Sequence, residues 1–308
     1  MTIMFWSSAL LLLLSLTAIL SVAQPPAHSK NPQPEHISDQ FASLSCSRFE
    51  WNVEKSVMRV PLSLNGKHYW YQLDTGADVV IAYGNRPHEG WSPTEGAEGE
   101  MRIPRAQFAG MSFPAILAYP MKTISDENLQ GTVGLDLLVG RTFVIDFPKR
   151  RVCLVERADL PDSLIRAADW SDAEIWHGKL FINMTLNGKK LDEILYDTGS
   201  SPTALDLDLN LWKEFTGRAG ASEATTHSKG QSWGHDIESI GAPATGDLTI
   251  GHHVYRTPLL TTIPARPDSY RTGYRAQGSL GNALFTDSIV ILDLGGHPRF
   301  GIIDSRSR

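Results

Sequence analysis

The chain has 308 residues, 42% of them apolar and eight of them tryptophan, which is enough to fill the cores of two domains of ordinary size. A net charge of −6 argues against a nucleic-acid partner. The only two cysteines, Cys46 and Cys153, are too few and too far apart in sequence to suggest a thiolate metal site.

Residues 3–23 are almost wholly apolar, and the first charged side chain is Lys30. A run of this kind ending in Ser21-Val22-Ala23 fits a secretory signal peptide cleaved before Gln24. At about 20 residues it is also long enough for an uncleaved membrane anchor. Either reading exports the rest of the chain, to the periplasm or the exterior. Residues 24–45 carry Pro25, Pro26, Pro32 and Pro34 with no apolar periodicity, and read as a linker or short pro-segment. In an oxidising compartment Cys46 and Cys153 can form one disulfide, the alternative being two buried thiols.

A first lobe is expected over residues 46–160. Met58, Val60, Leu62 and Leu64 alternate, then Asn65-Gly66 turns the chain; Asn-Gly between such runs signals a hairpin because both central residues take positive φ. Pro61 lacks the N–H a ladder needs and suggests that the first strand lies at a sheet edge. The return strand, Trp70-Tyr71-Gln72-Leu73, runs into Asp74-Thr75-Gly76-Ala77-Asp78. Residues 88–99 are rich in glycine and glutamate around Trp91. Gly131-Thr132-Val133-Gly134 follows, and Asp146 stands in a β-branched run twelve residues past Gly134. Residues 161–175 mix charged and small side chains and read as the inter-lobe linker.

A second lobe over residues 176–308 repeats the pattern. Leu180, Ile182, Met184 and Leu186 alternate, Asn187-Gly188 turns, and Ile194-Leu195-Tyr196 leads into Asp197-Thr198-Gly199-Ser200-Ser201. Asp197 lies 123 residues after Asp74 (197 minus 74), whereas Gly281 lies 147 after Gly134 (281 minus 134), so the second lobe carries 24 more residues between its acid and its glycine element. Trp233 and His227, His235, His252 and His253 fall in or just after residues 225–251; without i,i+4 spacing these histidines read as solvated rather than as metal ligands.

The paired acid motifs, hairpins and glycine elements resemble those of the aspartic proteases, from about residue 57 to the C-terminus. Residues 73–78 are similar to the retropepsin form of the motif and residues 197–201 to the pepsin form. The resemblance implies an all-β, bilobed pepsin-like or retropepsin-like fold of two β-barrel-like lobes. It further implies a single-chain, monomeric endopeptidase that acts on a polypeptide substrate with no cofactor and no metal. Asp74 and Asp197 would form the catalytic pair. Thr75 and Thr198 would bond across the lobe interface, Gly76 and Gly199 would let the two turns approach, and Asp78 and Ser201 would contact substrate. The arginine usual in retropepsins after the glycine element is absent, Leu135 and Asn282 standing there, which leaves Arg141 as a candidate partner for Asp78. Ser200 can donate a hydroxyl to its neighbouring carboxylate where Ala77 cannot, an asymmetry expected to extend activity from mildly acidic toward neutral pH. No glycine-rich flap with the tyrosine typical of pepsins is evident, so Trp91 and residues 225–251 are the candidate lids. An inactive binding or inhibitor protein of the same fold is the competing reading.

Overall fold

The computed structural model describes residues 41, 44–52, 57–84, 91–95, 99–121, 129–232, 235–265 and 276–304. The apolar run at residues 3–23, most of the proline-rich segment and Trp233 lie outside the described residues.

Two short strands, β1 (Ser47–Arg48) and β2 (Glu50–Asn52), lead into the first hairpin, β3 (Val57–Leu64) and β4 (Lys67–Leu73). Leu64 pairs with Lys67 over Asn65 and Gly66, whose φ angles are 51° and 78°. The alternation expected of β3 buries Met58, Val60, Leu62 and Leu64 on one face. β3 is not an edge strand, however. Its second side is shared by β2, which pairs as far as Arg59, and by β7 (Met101–Phe108), which begins at Leu62. Pro61, opposite Trp70, falls in the gap between them, where no neighbour asks for its missing N–H.

β5 (Ile81–Tyr83), β6 (Ser92–Pro93), β8 (Met111–Met121) and β9 (Gly131–Val133) complete an eight-stranded sheet ordered β2-β3-β4-β9-β5-β8-β7-β6, with the β3–β7 pairing curling it back on itself. β9 runs between β4 and β5, and a Cβ on Gly131 would stand 2.1 Å from the Ile81 carbonyl oxygen. Only glycine fits that crossing.

β10 (Thr142–Asp146) and β11 (Arg151–Val155) then leave the first lobe for a shared sheet. The stretch read as a linker, residues 161–175, is helix α1 (Asp162–Ala167) and most of strand β12 (Asp169–Trp176). Its mixed composition follows from a strand whose side chains are mostly half-exposed or exposed. β12 pairs with β23 (Arg299–Asp304) through Asp169 to Asp172 and with the second lobe from Ala173 onward.

The second lobe repeats the first. β13 (Lys179–Leu186) and β14 (Lys189–Tyr196) close over Asn187 and Gly188 at φ 50° and 75°. β15 (Leu205–Leu207), β16 (Thr226–Ser232), β17 (His235–Pro243), β18 (Leu248–Ile250), β19 (His253–Tyr255), β20 (Leu259–Thr262) and β21 (Gly278–Leu280) follow. β21 threads between β14 and β15 as β9 does between β4 and β5. Between β15 and β16 lies helix α2 (Leu209–Thr216), which buries Trp212 and Phe215 and caps at Gly217 in the left-handed region. The Trp212 indole N–H donates to the Leu260 carbonyl at 3.0 Å, so α2 belongs to the core.

Among the described residues, β1-β11-β10-β22-β23-β12 form a continuous run of sheet joining the lobes, with β22 at Ser288–Asp293. Beneath it Phe41, Val144, Cys153, Leu164 and Ile291 form a second apolar cluster beside the main core. Cys46 and Cys153 are joined in a disulfide that fastens the entering chain to β11.

Candidate active site

Strand β4 ends at Leu73 and β14 at Tyr196, each held in register by a parallel neighbour, Val133 and Leu280 respectively. The residue after each strand is the acid, and its own N–H donates to that neighbour's carbonyl: Asp74 to Val133 at 3.1 Å, Asp197 to Leu280 at 2.9 Å. Each carboxylate is thereby aimed back over its own turn. Asp74 Oδ1 accepts the N–H groups of Gly76 at 2.9 Å and Ala77 at 3.1 Å. Asp197 Oδ1 accepts those of Gly199 at 2.9 Å and Ser200 at 3.2 Å.

The two turns lock by an exchange of threonines. The Thr75 N–H donates to Thr198 Oγ1 at 2.9 Å and the Thr198 N–H to Thr75 Oγ1 at 3.0 Å. The hydroxyls pass the bond on, Thr75 to the Tyr196 carbonyl at 2.7 Å and Thr198 to the Leu73 carbonyl at 3.0 Å. Both threonines are fully buried, so every donor and acceptor in this set is satisfied where water cannot reach it.

The glycines set the spacing of the acids. A Cβ on Gly76 would lie 2.7 Å from Asp197 Oδ1, and one on Gly199 would lie 2.6 Å from Asp74 Cγ. Each turn thus presents bare backbone to the other's carboxyl group. Behind them the glycine elements pass equally close: a Cβ on Gly134 would meet the Val79 carbonyl oxygen at 2.2 Å, and one on Gly281 the Ser200 carbonyl oxygen at 2.2 Å.

Burial pushes both carboxyls above the usual carboxylate range, and the charge of Asp197 pushes Asp74 up further. Two carboxyls this close titrate as a unit, one protonated while the other is ionised. The pair can therefore act as acid and base at once.

No family model matches the chain, and no curated protein matches it in sequence. Solved structures do match. A basic 7S globulin from soybean superposes with a TM-score of 0.52 at 11% identity, over 86% of this chain and 96% of that one. An aspartic proteinase from Irpex lacteus superposes with a TM-score of 0.53 at 10% identity, over 86% of this chain and 99% of that one. The fold is pepsin-like. At these identities the likeness is one of fold.

Within this pepsin-like fold the positions flanking the dyad differ between the lobes. Ser201 is fully buried; its hydroxyl donates to the Thr198 carbonyl at 2.6 Å and accepts from Asn282 Nδ2 at 2.9 Å, which turns it away from any substrate. The Tyr196 hydroxyl donates to Asn282 Oδ1 at 2.9 Å. Asn282 is the internal brace of the second turn, and the side chain at the corresponding place in the first lobe, Leu135, can brace nothing polar. Asp78, half-exposed, is met instead by Lys179 Nζ at 3.8 Å, contributed by the other lobe. Arg141 is not its partner: that guanidinium lies 3.7 Å from Glu156 and over the Phe113 ring.

Ser200 gives Asp197 a backbone N–H, as Ala77 gives Asp74, and among the described residues no hydrogen bond runs from the Ser200 hydroxyl to Asp197. The expected asymmetry between Ala77 and Ser200 therefore has no counterpart in the hydrogen bonding. Trp91 is half-buried against the first lobe's core. The residues of the β16–β17 hairpin are exposed along Thr226 to Gln231. Among the described residues no cluster of histidine, cysteine or acidic side chains has the geometry of a metal site.

Sequence reasoning did not find Lys179. It opens an apolar strand just after the His177-Gly178 turn, where a lysine reads as solvent-exposed, and alternation puts it on the face opposite Leu180, Ile182 and Met184, so no local signal marks it.

Proposed function

We propose that the chain is an aspartic endopeptidase, a single-chain hydrolase of peptide bonds with Asp74 and Asp197 as its catalytic pair. The observation that carries this reading is the reciprocal arrangement of the two turns, which holds two buried carboxyls, each against the other turn's glycine backbone, at the junction of the lobes. A water held between the carboxyls gives its proton to the ionised one as its oxygen attacks the peptide carbonyl, and the protonated one donates to the carbonyl oxygen. Collapse of the resulting tetrahedral species breaks the C–N bond as a proton passes to the departing amine. No covalent intermediate and no cofactor is needed. The substrate is a polypeptide, and one chain supplies both acids, consistent with a monomer.

The disulfide supports an exported setting, periplasmic or secreted. Residues 3–23 would serve as the export signal or anchor. The β16–β17 hairpin is the candidate wall of the substrate cleft. Asp78, half-exposed beside the dyad, is the candidate contact for substrate backbone.

A catalytically inactive binding or inhibitor protein of the same fold is the second reading, and the soybean globulin and the Irpex lacteus proteinase share that fold alike. Retention of both acids and both facing glycines favours the enzyme. Incubating the purified protein with a diverse peptide pool from pH 3 to 8, with and without a statine-type inhibitor, separates the two. Inhibitor-sensitive cleavage at discrete sites is expected; an intact pool at every pH would favour the binding protein.

A further inference from the structure

A lysine in the interior needs a reason. Lys179 is 5% exposed, and burying an ammonium is unfavourable unless opposite charge and hydrogen bonds meet it. It is carried by the first residue of β13 in the second lobe, yet its ammonium donates to the carbonyl of Gly76, in the catalytic turn of the first lobe. It also pairs with Asp78 of that turn at 3.8 Å. The residue before it, Gly178, sits so close to Asp78 that a Cβ there would stand 2.7 Å from the Asp78 Cβ, so the whole β12–β13 turn is seated on the first catalytic turn.

We propose that Lys179 is a positioning residue for the opposite lobe's catalytic turn, and that its positive charge sets the pH range over which the aspartate pair works. The inference rests on the proposed protease function. The charged and titratable groups around the ammonium are Asp74 and Asp78 on the first turn, Asp197 on the second, Asp136 beyond Asp78, and His177 on its own hairpin. A dyad sharing one proton carries one negative charge and Asp78 carries another, so one buried cation offsets part of a local excess. The arrangement supplies what the second turn obtains from Asn282, a brace for the residue four places after the acid.

The sign follows from charge alone. Lys179 draws the titration of both Asp74 and Asp197 downward against the effect of burial. Without the charge each proton is lost at higher pH. Both limbs of the kcat/KM profile, the acid limb where the dyad first ionises and the alkaline limb where it loses its second proton, move upward together.

The test compares Lys179→Gln and Lys179→Met with Lys179→Arg. Gln keeps a donor for the Gly76 carbonyl without charge, Met keeps the volume without either, and Arg keeps the charge. In whichever neutral variant folds, both limbs should shift up by about one pH unit, while in Lys179→Arg they stay within a few tenths of wild type. A uniform fall in kcat/KM with unmoved limbs, a downward shift, or an Arg variant that moves as far as the neutral ones would overturn the proposal. A second readout needs no turnover: aspartate carboxyls labelled with 13C report the dyad's titration by NMR. If the wild-type protein cleaves nothing, the protease reading fails and this titration decides alone. An upward shift in the neutral variants sustains the role of Lys179, and an unmoved one ends it.

Discussion

Val144 pairs with Ile291, its own counterpart in the repeat, 147 residues further on (291 minus 144). The pairing of β10 with β22 is antiparallel and spans Thr142 opposite Asp293 to Asp146 opposite Ile289, so the approximate two-fold relating the lobes passes through this pair. Both side chains are completely buried in the apolar cluster beneath the shared sheet. The two lobes are therefore tied at their backs by sheet and at their front by the threonine exchange.

That double tie predicts one cooperative unfolding transition rather than two. Ile291→Ala should cost about 2–5 kcal/mol, the usual range for truncating a fully buried aliphatic side chain, and should lower the single midpoint without splitting it. Chemical denaturation followed by tryptophan fluorescence and by far-ultraviolet circular dichroism checks this; two separated transitions would show that the lobes unfold independently.

Gly76→Ala and Gly199→Ala each place a methyl within 2.7 Å of the opposite carboxyl group. The expected result is a spread dyad in a protein that still folds, with activity reduced by at least about 100-fold. Steady-state kinetics alongside circular dichroism decides it. Near-normal kcat in either variant would mean that the turns have more freedom than their spacing implies.

Thr75→Val removes a hydroxyl that accepts from the Thr198 N–H and donates to the Tyr196 carbonyl, leaving both buried and unpaired. A loss of about 2–4 kcal/mol is expected. Thr198→Val should cost a similar amount, and the double variant should cost less than the sum because each change already breaks part of a common network.

The Cys46–Cys153 bridge closes a loop with a sequence separation of 107. Chain-entropy reasoning puts its contribution at about 4–5 kcal/mol. Thiol alkylation of unreduced native protein should label neither cysteine, and Cys46→Ser with Cys153→Ser should lower the unfolding midpoint without changing the dyad.

Much of this fold is legible in the chain because its repeat is written in residues with narrow conformational roles. Asn65-Gly66 and Asn187-Gly188 mark positive-φ turns, and the alternation before each of them marks the buried face. The acid-threonine-glycine pairs mark where strands end. What was not legible depended on neighbours distant in sequence. Pro61 looks like an edge residue until β2 and β7 are seen to divide the far side of β3. Residues 161–175 look like a linker because a half-exposed strand shared by two sheets leaves no clear period. Ser201 looks available to substrate until Asn282, 81 residues away, is seen to claim it. Lys179 is the clearest case, since nothing local distinguishes a lysine that reaches across to another lobe's turn from one that reaches into water.

The most direct test of the central claim is cleavage by Asp74→Asn and Asp197→Asn, measured on a peptide that the wild-type protein cuts. Each variant removes one ionisable carboxyl while keeping its shape and an oxygen able to accept the turn's N–H bonds. Both should fold with wild-type circular dichroism and show at least about a 1,000-fold loss in kcat at every pH. Cleavage at the wild-type rate by either variant would contradict a mechanism that rests on both aspartates.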